Sequence, residues 1–324
     1  MTLRRDAFLS GNLQRAGTQA AKFEAAGHAG AFTAETAHDP FLALVPAAQN
    51  TETIELGTSI AVAFARNPMT TAYTARDLNE FSGGRFVLGL GSQIKPHITK
   101  RFSMPWSAPA ARMREFIEAL HTIWDVWDSG ERLEFRGEFY THTLMTEFFD
   151  PGPAKHGRPA VYLAAVGPHM VKVVAEVCDG WVVHPFSTPD HFEAVALPRL
   201  HRLMDKAGRD RSSVSISVPA FVVTGNDETE MSASAKAIKQ QIGFYGSTPA
   251  YIDVLEHHGW GDAQPELNSL TKAGRWDELH SVIDDDMLSA FAVVAEPDHV
   301  DAKVEERYGR LADRVMYYTE APTD

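Results

Sequence analysis

The stretch of residues 78–93 constrains the fold more than any other part of the sequence. Gly83 and Gly84 fall where a helix is expected to end, because glycine readily adopts the left-handed conformation that terminates helices. The next segment, residues 86–88, is short and wholly apolar, which favours a strand covered on both faces. Gly89 and Gly91 then allow a close approach at the carboxyl end of this strand. That end of a parallel strand is where α/β proteins bind their ligands.

Strands alternate with helices along most of the chain. The predicted strands are a weak one at Phe8 and Leu9 and stronger ones at residues 31–34, 54–62, 86–88, 161–165, 180–183, 214–223 and 314–318. Segments with the helical period of apolar residues lie between them, including a helix that is predicted to begin at Phe41 and to carry Leu42, Val45 and Ala48 on one face. Eight such strands predict a TIM (β/α)8 barrel that forms one domain over residues 1–324, with a small inserted hairpin at residues 133–142. A doubly wound open sheet is the alternative.

Charge and cysteine content exclude several classes of protein. The net charge of −13 argues against a nucleic-acid or anionic-membrane surface. The single cysteine, Cys178, excludes an intrachain disulfide and is typical of a reducing cytoplasm. No apolar stretch approaches the ~20 residues that a membrane span needs. We therefore expect a cytoplasmic protein that acts on a small molecule.

A basic loop follows the glycine-rich strand. Residues 92–110 are predicted to form a long loop that holds Lys95, His97, Lys100 and Arg101 and contains no acidic residue. In so acidic a chain this is a local inversion of charge. Both a solvated loop and a site for an anionic ligand are consistent with it.

Few polar residues are suited to catalysis. Glu35 lies at the end of the second predicted strand, and His38, which titrates near neutral pH, could protonate a substrate anion. These two are the predicted catalytic residues, although helix capping, a salt bridge or a structural hydrogen bond would also explain them. His184 ends the sixth strand, and either a place at the barrel mouth or a structural hydrogen bond would explain it. His257 and His258 are adjacent, but no HExxH or paired CxxC spacing accompanies them, so no metal site is predicted.

Several motifs, in order over the first 190 or so residues, resemble the bacterial luciferase-like superfamily, and specifically its branch of coenzyme F420-dependent oxidoreductases. The motifs are FTAE at residues 32–35, LGTSI at 56–60, RNP at 66–68, SGGRFVLGLG at 82–91 and VYLAAVGP at 161–168. The resemblance implies a TIM barrel with one deazaflavin or flavin at its carboxyl-terminal mouth, and a homodimer.

The resemblance also implies cofactor contacts. A non-proline cis peptide is expected between Ser59 and Ile60, and phosphate contacts are expected in the loop after the fourth strand and at the helix after the fifth. Lys95 of the basic loop and His184 are added as further contacts. The predicted cofactor-binding residues are Ser59, Ile60, Gly91, Ser92, Gln93, Lys95, Ala165, Val166, Gly167 and His184.

Two departures from the family pattern bear on the reaction. Glu35 is followed by Thr36 instead of histidine, and Ile94 stands where family dehydrogenases carry a carboxylate. Both missing groups serve proton transfer with alcohols or sugars. The resemblance therefore implies hydride transfer between F420 and a small organic substrate, and the two departures favour the reductase direction. An FMN-dependent monooxygenase is the first alternative, and a barrel that binds cofactor without catalysis is the second.

Overall fold

The structure is a computed structural model that describes residues 2–318. Its parallel strands form a closed eight-stranded barrel with helices between the strands, which confirms the predicted TIM (β/α)8 fold. The barrel strands, first to eighth, are Arg4–Phe8, Gly30–Thr33, Glu55–Thr58, Phe86–Gly91, Ala160–Ala165, Gly180–Val183, Ser215–Val223 and Arg314–Tyr318. Short additional strands are Ala61–Val62, Phe135–Arg136, Thr141–His142 and Ala292–Val294.

Helices connect the strands. The α-helices are Leu13–Ala25, Leu44–Gln49, Pro68–Phe81, Pro109–Ser129, Pro168–Val177, Pro189–His191, Leu197–Ala207, Glu228–Gly246, Ile252–His257, Ala263–Lys272, Asp285–Phe291 and Val300–Tyr308. Single turns of 3-10 or π type are Ala63–Ala65, His97–Arg101, Phe192–Ala196, Arg211–Ser213, Pro249–Tyr251, Trp276–Ser281 and Pro297–His299. None of the helices between residues 2 and 318 combines the length and apolar character needed to cross a membrane.

One compact unit consists of Arg5–Val182 and Leu200–Ser215. Its strands pair in parallel, with Phe32 beside Gly57 and Leu90 beside Leu163. The long helix Pro109–Ser129 buries the apolar positions that the helical period predicts, namely Met113, Phe116, Leu120, Ile123 and Trp127. The predicted hairpin is present as the antiparallel pair Phe135–Arg136 and Thr141–His142.

Two local predictions in this unit were wrong. A helix was expected from Phe41 with Leu42, Val45 and Ala48 on one face. It spans only Leu44–Gln49, and Leu42 and Val45 are exposed whereas Ala48 is buried. Residues 92–110 are not a featureless loop, because His97–Arg101 forms a π-helical turn anchored by the fully buried Ile98. A single buried apolar residue in a polar segment leaves no periodic pattern to detect.

The other unit contains Val183–Arg199 and most of the chain after Ile216. Its seventh strand pairs in parallel with the eighth, with Val218 beside Val315, and with the short strand Ala292–Val294. The helices between residues 228 and 291 pack on these strands around a buried apolar cluster. That cluster includes Phe186, Phe221, Ile242, Leu255, Leu267, Leu279 and Phe291.

Candidate functional site

Two glycines of the fourth strand allow this strand to pack closely against the end of the third strand. A Cβ atom on Gly89 would lie 1.8 Å from the Thr58 carbonyl oxygen, and one on Gly91 would lie 2.8 Å from Ile60 Cδ1. The Thr58 hydroxyl also donates to the Gly89 carbonyl oxygen at 2.7 Å and accepts from the Gly89 N–H at 3.0 Å. The close approach expected at Gly89 and Gly91 is therefore an approach to the neighbouring strand.

The third strand ends at Thr58 and a short strand follows at Ala61–Val62, where one continuous strand over residues 54–62 was predicted. The Ser59–Ile60 peptide bond is cis, as the motif implied, and both side chains are partly exposed. The Ser59 N–H donates to the Thr33 carbonyl oxygen at 2.6 Å, and the Ile60 carbonyl oxygen accepts from the Glu35 N–H at 3.1 Å. These bonds join the carboxyl ends of the second and third strands.

Glu35 is engaged by two donors. Its Oε2 atom accepts from Arg66 Nη1 at 2.5 Å and from the Val62 N–H at 2.7 Å, and only 8% of the Glu35 side chain is exposed. Arg66 Nη1 also donates to the Val62 carbonyl oxygen at 3.1 Å, and Arg66 Nη2 lies 3.4 Å from Asp39 Oδ2. These contacts of one carboxylate link the loops after the second and third strands.

His38 differs from Glu35 in its exposure. Its side chain is exposed, and its Cβ atom lies next to Gly11, where an added methyl group would come within 2.7 Å. An exposed imidazole can exchange protons with solvent and with a bound molecule. The catalytic assignments of Glu35 and His38 stay predictions, and the two geometries favour His38 for proton transfer.

The loop after the fourth strand presents polar backbone and cations. Ser92 and Gln93 are half-buried, and Gln93 has a left-handed backbone with φ of 57°. Lys95 and Lys100 are exposed, and no ion pair within residues 2–318 involves either of them. Arg101 is less free, because its Nη2 atom donates to the Thr36 carbonyl oxygen at 2.7 Å. The arginine thereby ties this loop to the one that carries Glu35.

The fifth strand ends at an open helix terminus. Ala165 is buried, and its carbonyl oxygen accepts from the Trp181 indole N–H at 2.9 Å. Val166 is 41% exposed. Gly167 caps the helix Pro168–Val177, and a Cβ atom built on it would meet nothing within 4 Å. The positive end of this helix is therefore open to an anion.

His184 belongs to the other compact unit and has a defined hydrogen-bonding state. Burial lowers its pKa to about 4, so the ring is neutral at pH 7. Nδ1 accepts from the Phe186 N–H at 3.1 Å, so we assign the proton to Nε2, which lies 3.1 Å from the Tyr251 hydroxyl oxygen. The Tyr251 ring stacks on His184 at 4.4 Å between ring centroids. The role of His184 as a cofactor contact stays a prediction.

Sequence reasoning missed the roles of Arg66 and Tyr251. Arg66 was noticed only as part of the RNP motif, although an arginine that follows a strand by a few residues is well placed to pair with an acid from the neighbouring strand. Tyr251 lies within a helical segment of the chain, and nothing in the sequence relates it to His184, 67 residues away.

Comparison with known proteins gives a consistent set of similarities. The family model described as luciferase-like monooxygenase matches residues 4–314. An uncharacterised protein of Mycobacterium tuberculosis is 49% identical over 314 residues, which cover 97% of this chain and 92% of that protein. The 5,10-methylenetetrahydromethanopterin reductase of Archaeoglobus fulgidus is 29% identical over 264 residues, covering 80% of this chain and 75% of the reductase. The solved structure of the coenzyme F420-dependent tetrahydromethanopterin reductase of Methanopyrus kandleri is similar with a TM-score of 0.79 at 22% identity, covering 97% and 92% of the two chains.

Proposed function

Since the chain belongs to the luciferase-like monooxygenase family, we propose that it is an oxidoreductase that transfers hydride between coenzyme F420 and a small organic molecule. Reduction of the organic molecule is the favoured direction. Two of its relatives, at 29% and 22% identity, are reductases, and one of these is named as F420-dependent. Thr36 and Ile94, which replace the proton-transfer groups of the family's dehydrogenases, support the same direction.

The residues at the ends of the third, fourth and fifth strands fit a cofactor with an anionic tail. Gly167 leaves open space before a helix terminus, and the backbone at Ser92 and Gln93 offers further donors. The observation that carries the proposal is the pair of exposed cations, Lys95 and Lys100, which no acid neutralises among the described residues of a chain with net charge −13. F420 carries a phosphodiester and a glutamate tail, whereas FMN ends in one phosphate, so F420 gains more from these cations.

The residues of the chain have separate tasks in this proposal. Ile60 and Val166 are partly exposed apolar side chains and would line one side of the flat ring. When bound, F420 supplies the hydride-carrying ring. Glu35, held by Arg66, keeps the loop that carries His38 in position, and His38 supplies a proton to the substrate. The peptide groups after the fourth strand and before Pro168 hold the tail.

The competing proposal is an FMN-dependent monooxygenase, which the description of the matching family favours. Equilibrium binding of the purified protein to F420 and to FMN separates the two. We expect micromolar or tighter binding of F420 and much weaker binding of FMN. Tight binding of FMN alone, with substrate oxygenation when reduced FMN and oxygen are supplied, would reject the F420 proposal.

A barrel that binds F420 without catalysis is the remaining alternative. The ion pair between Glu35 and Arg66 favours this alternative, because it removes one of the two predicted catalytic groups from proton transfer. Reduced F420 should be oxidised in the presence of an enone or nitroaromatic panel if the chain is a reductase. Binding of F420 without turnover of any compound in the panel would favour the binding protein.

A further inference from the structure

Three side chains capable of binding a metal ion converge, and none of them is among the proposed cofactor residues. Asp190 lies in the first turn of the helix that starts after the sixth strand, and His257 and His258 lie at the end of Ile252–His257. His257 Nε2 is 2.6 Å from Asp190 Oδ2. One potential ligand atom from each of the three residues lies within 4.8 Å of the other two. All three belong to the same compact unit.

Neighbouring residues hold these rings in place. The Thr188 hydroxyl oxygen lies 2.7 Å from His258 Nε2 and accepts from the His191 N–H at 3.2 Å. The His258 ring stacks on Trp260 with 4.5 Å between ring centroids. His191 packs edge-on against His257 at 5.4 Å, and its buried Nδ1 has no hydrogen-bond partner among residues 2–318. The cluster is therefore ordered by packing as well as by one ion pair.

We propose that Asp190, His257 and His258 form a binding site for a divalent transition-metal ion, for which Zn²⁺ is the best match. Two imidazoles and one carboxylate are a ligand set that Zn²⁺ favours, and they leave a fourth position for water. The Asp190–His257 hydrogen bond already brings two of these ligands within 2.6 Å of each other. The ion replaces the shared proton and ties the segment after the sixth strand to Ile252–His257. Sequence spacing does not reveal this site, because Asp190 is 67 residues from His257.

The charges around the cluster set its pH dependence. The Asp190 carboxylate attracts a cation. Arg199 and Asp253 are charged groups that act on His191, whose ring packs against His257. Protons compete with the metal for imidazole, whose ordinary pKa is about 6.5. Affinity should therefore decrease as the pH is lowered.

Metal binding to the full chain tests the site directly. After dialysis against EDTA, the protein is titrated with Co²⁺, whose visible absorption reports coordination, and then with Zn²⁺ in competition. We expect one equivalent to bind and Zn²⁺ to displace Co²⁺. His257→Gln, His258→Gln and Asp190→Asn should each weaken binding by about tenfold or more, since each removes a ligand.

A matched control is available in His299. Its Nδ1 lies 3.9 Å from Glu296 Oε2, so it forms a histidine–carboxylate pair that lacks a second histidine. His299→Gln should leave Co²⁺ binding unchanged. Asp190 is exposed, so Asp190→Asn should fold normally, and circular dichroism with a thermal melt checks this. The proposal would be overturned if the parent bound Co²⁺ no more tightly than the His257→Gln/His258→Gln variant. It would also be overturned if His299→Gln lost as much Co²⁺ affinity as the ligand variants.

Discussion

The charge of the Glu35 carboxylate is paired with one cation, that of Arg66. Removing one partner of a buried ion pair leaves the other charge unpaired, which costs about 3–5 kcal/mol when burial is complete. Glu35 and Arg66 are 8% and 18% exposed. We therefore expect Arg66→Met to lower the free energy of unfolding by about 2–3 kcal/mol, slightly less than the fully buried case. Urea denaturation of Glu35→Gln, Arg66→Met and the double variant gives the coupling energy of the pair.

The exposed pair Arg114 and Glu118, 2.9 Å apart on the surface of one helix, is the control for this cycle. Exposed pairs are worth about 0–1 kcal/mol, so Arg114→Met should change stability little. A coupling energy for Glu35 and Arg66 no larger than that of the surface pair would show that the buried pair does not order these loops. His38→Ala should lower turnover of the substrate, which steady-state kinetics measures.

Single residues mark the limit of what the sequence predicts about the site. The positions Ser59, Ile60 and Gly167 could be located because motifs and strand ends fix them. The partners Arg66 and Tyr251 could not, because hydrogen bonds across 31 and 67 residues depend on barrel register. Sequence periodicity reports which face of an element is buried and says nothing of which side chain it meets there.

At the scale of elements, the fit between the third and fourth strands depends on Gly89. A methyl group there would overlap the Thr58 carbonyl oxygen, which is backbone and cannot move aside. We expect Gly89→Ala to destabilise the fold severely, beyond the ~1–3 kcal/mol typical of overpacking. The matched control is Gly167→Ala, since Gly167 has space for a methyl group and a φ of −78°.

Thermal melts of the two variants provide the measurement. Gly167→Ala should melt with the parent yet bind F420 less tightly if the cofactor tail lies close to that glycine. Equal melting temperatures for Gly89→Ala and the parent would mean that the third and fourth strands can move apart at little cost. The close packing at Gly89 would then not be needed for stability.

The basic loop has a salt-dependent prediction. Each exposed cation contributes up to about 1 kcal/mol, so Lys95→Ala/Lys100→Ala should weaken F420 binding by about tenfold at low salt and less at high salt. Arg101 is left intact because it holds the Thr36 carbonyl oxygen. The control replaces two exposed lysines of other helices, Lys236 in Glu228–Gly246 and Lys272 in Ala263–Lys272. Unchanged affinity of the loop variant at low salt would mean that the loop is only solvated.

Elements were predicted well where glycine or periodicity marks them. Positive φ values at Gly83 and Gly84, of 70° and 86°, end the helix where the sequence indicated. The π-helical turn His97–Arg101 and the late start of Leu44–Gln49 had no such mark. Alternation of strands and helices was enough to predict the barrel, because few architectures satisfy parallel β–α units.

At the scale of the whole molecule, the homodimer remains a prediction with one exposed apolar surface to support it. Leu42 and Phe81, each 55% exposed, and Val45 line a hollow of about 770 Å³. Exposed apolar side chains that are grouped around one hollow and flanked by charged residues such as Asp77 and Lys155 are typical of an interface. Light scattering should report a dimer that Leu42→Asp/Phe81→Asp converts to a monomer, while the control Leu144→Asp, at a 76% exposed position, does not. A monomeric parent at micromolar concentration would refute the dimer.

Acid should destabilise the molecule through its neutral histidines. Burial lowers the pKa of His121 and of His184 to about 4, and for His121 the nearby Arg158 adds to the effect. The unfolded chain, with histidine pKa of about 6.5, therefore binds more protons than the folded chain between pH 6.5 and 4.

Stability should therefore fall as the pH drops through that window, with no further loss from these groups below pH 4. Allowing for partial exposure, each histidine should contribute about 1 kcal/mol of loss between pH 7 and 5. Urea denaturation at pH 7, 6 and 5 measures the slope. His121→Gln should flatten it, because the replacement cannot be protonated, while the exposed His201→Gln should not. The same slope in the parent and in His121→Gln would show that His121 does not couple folding to pH.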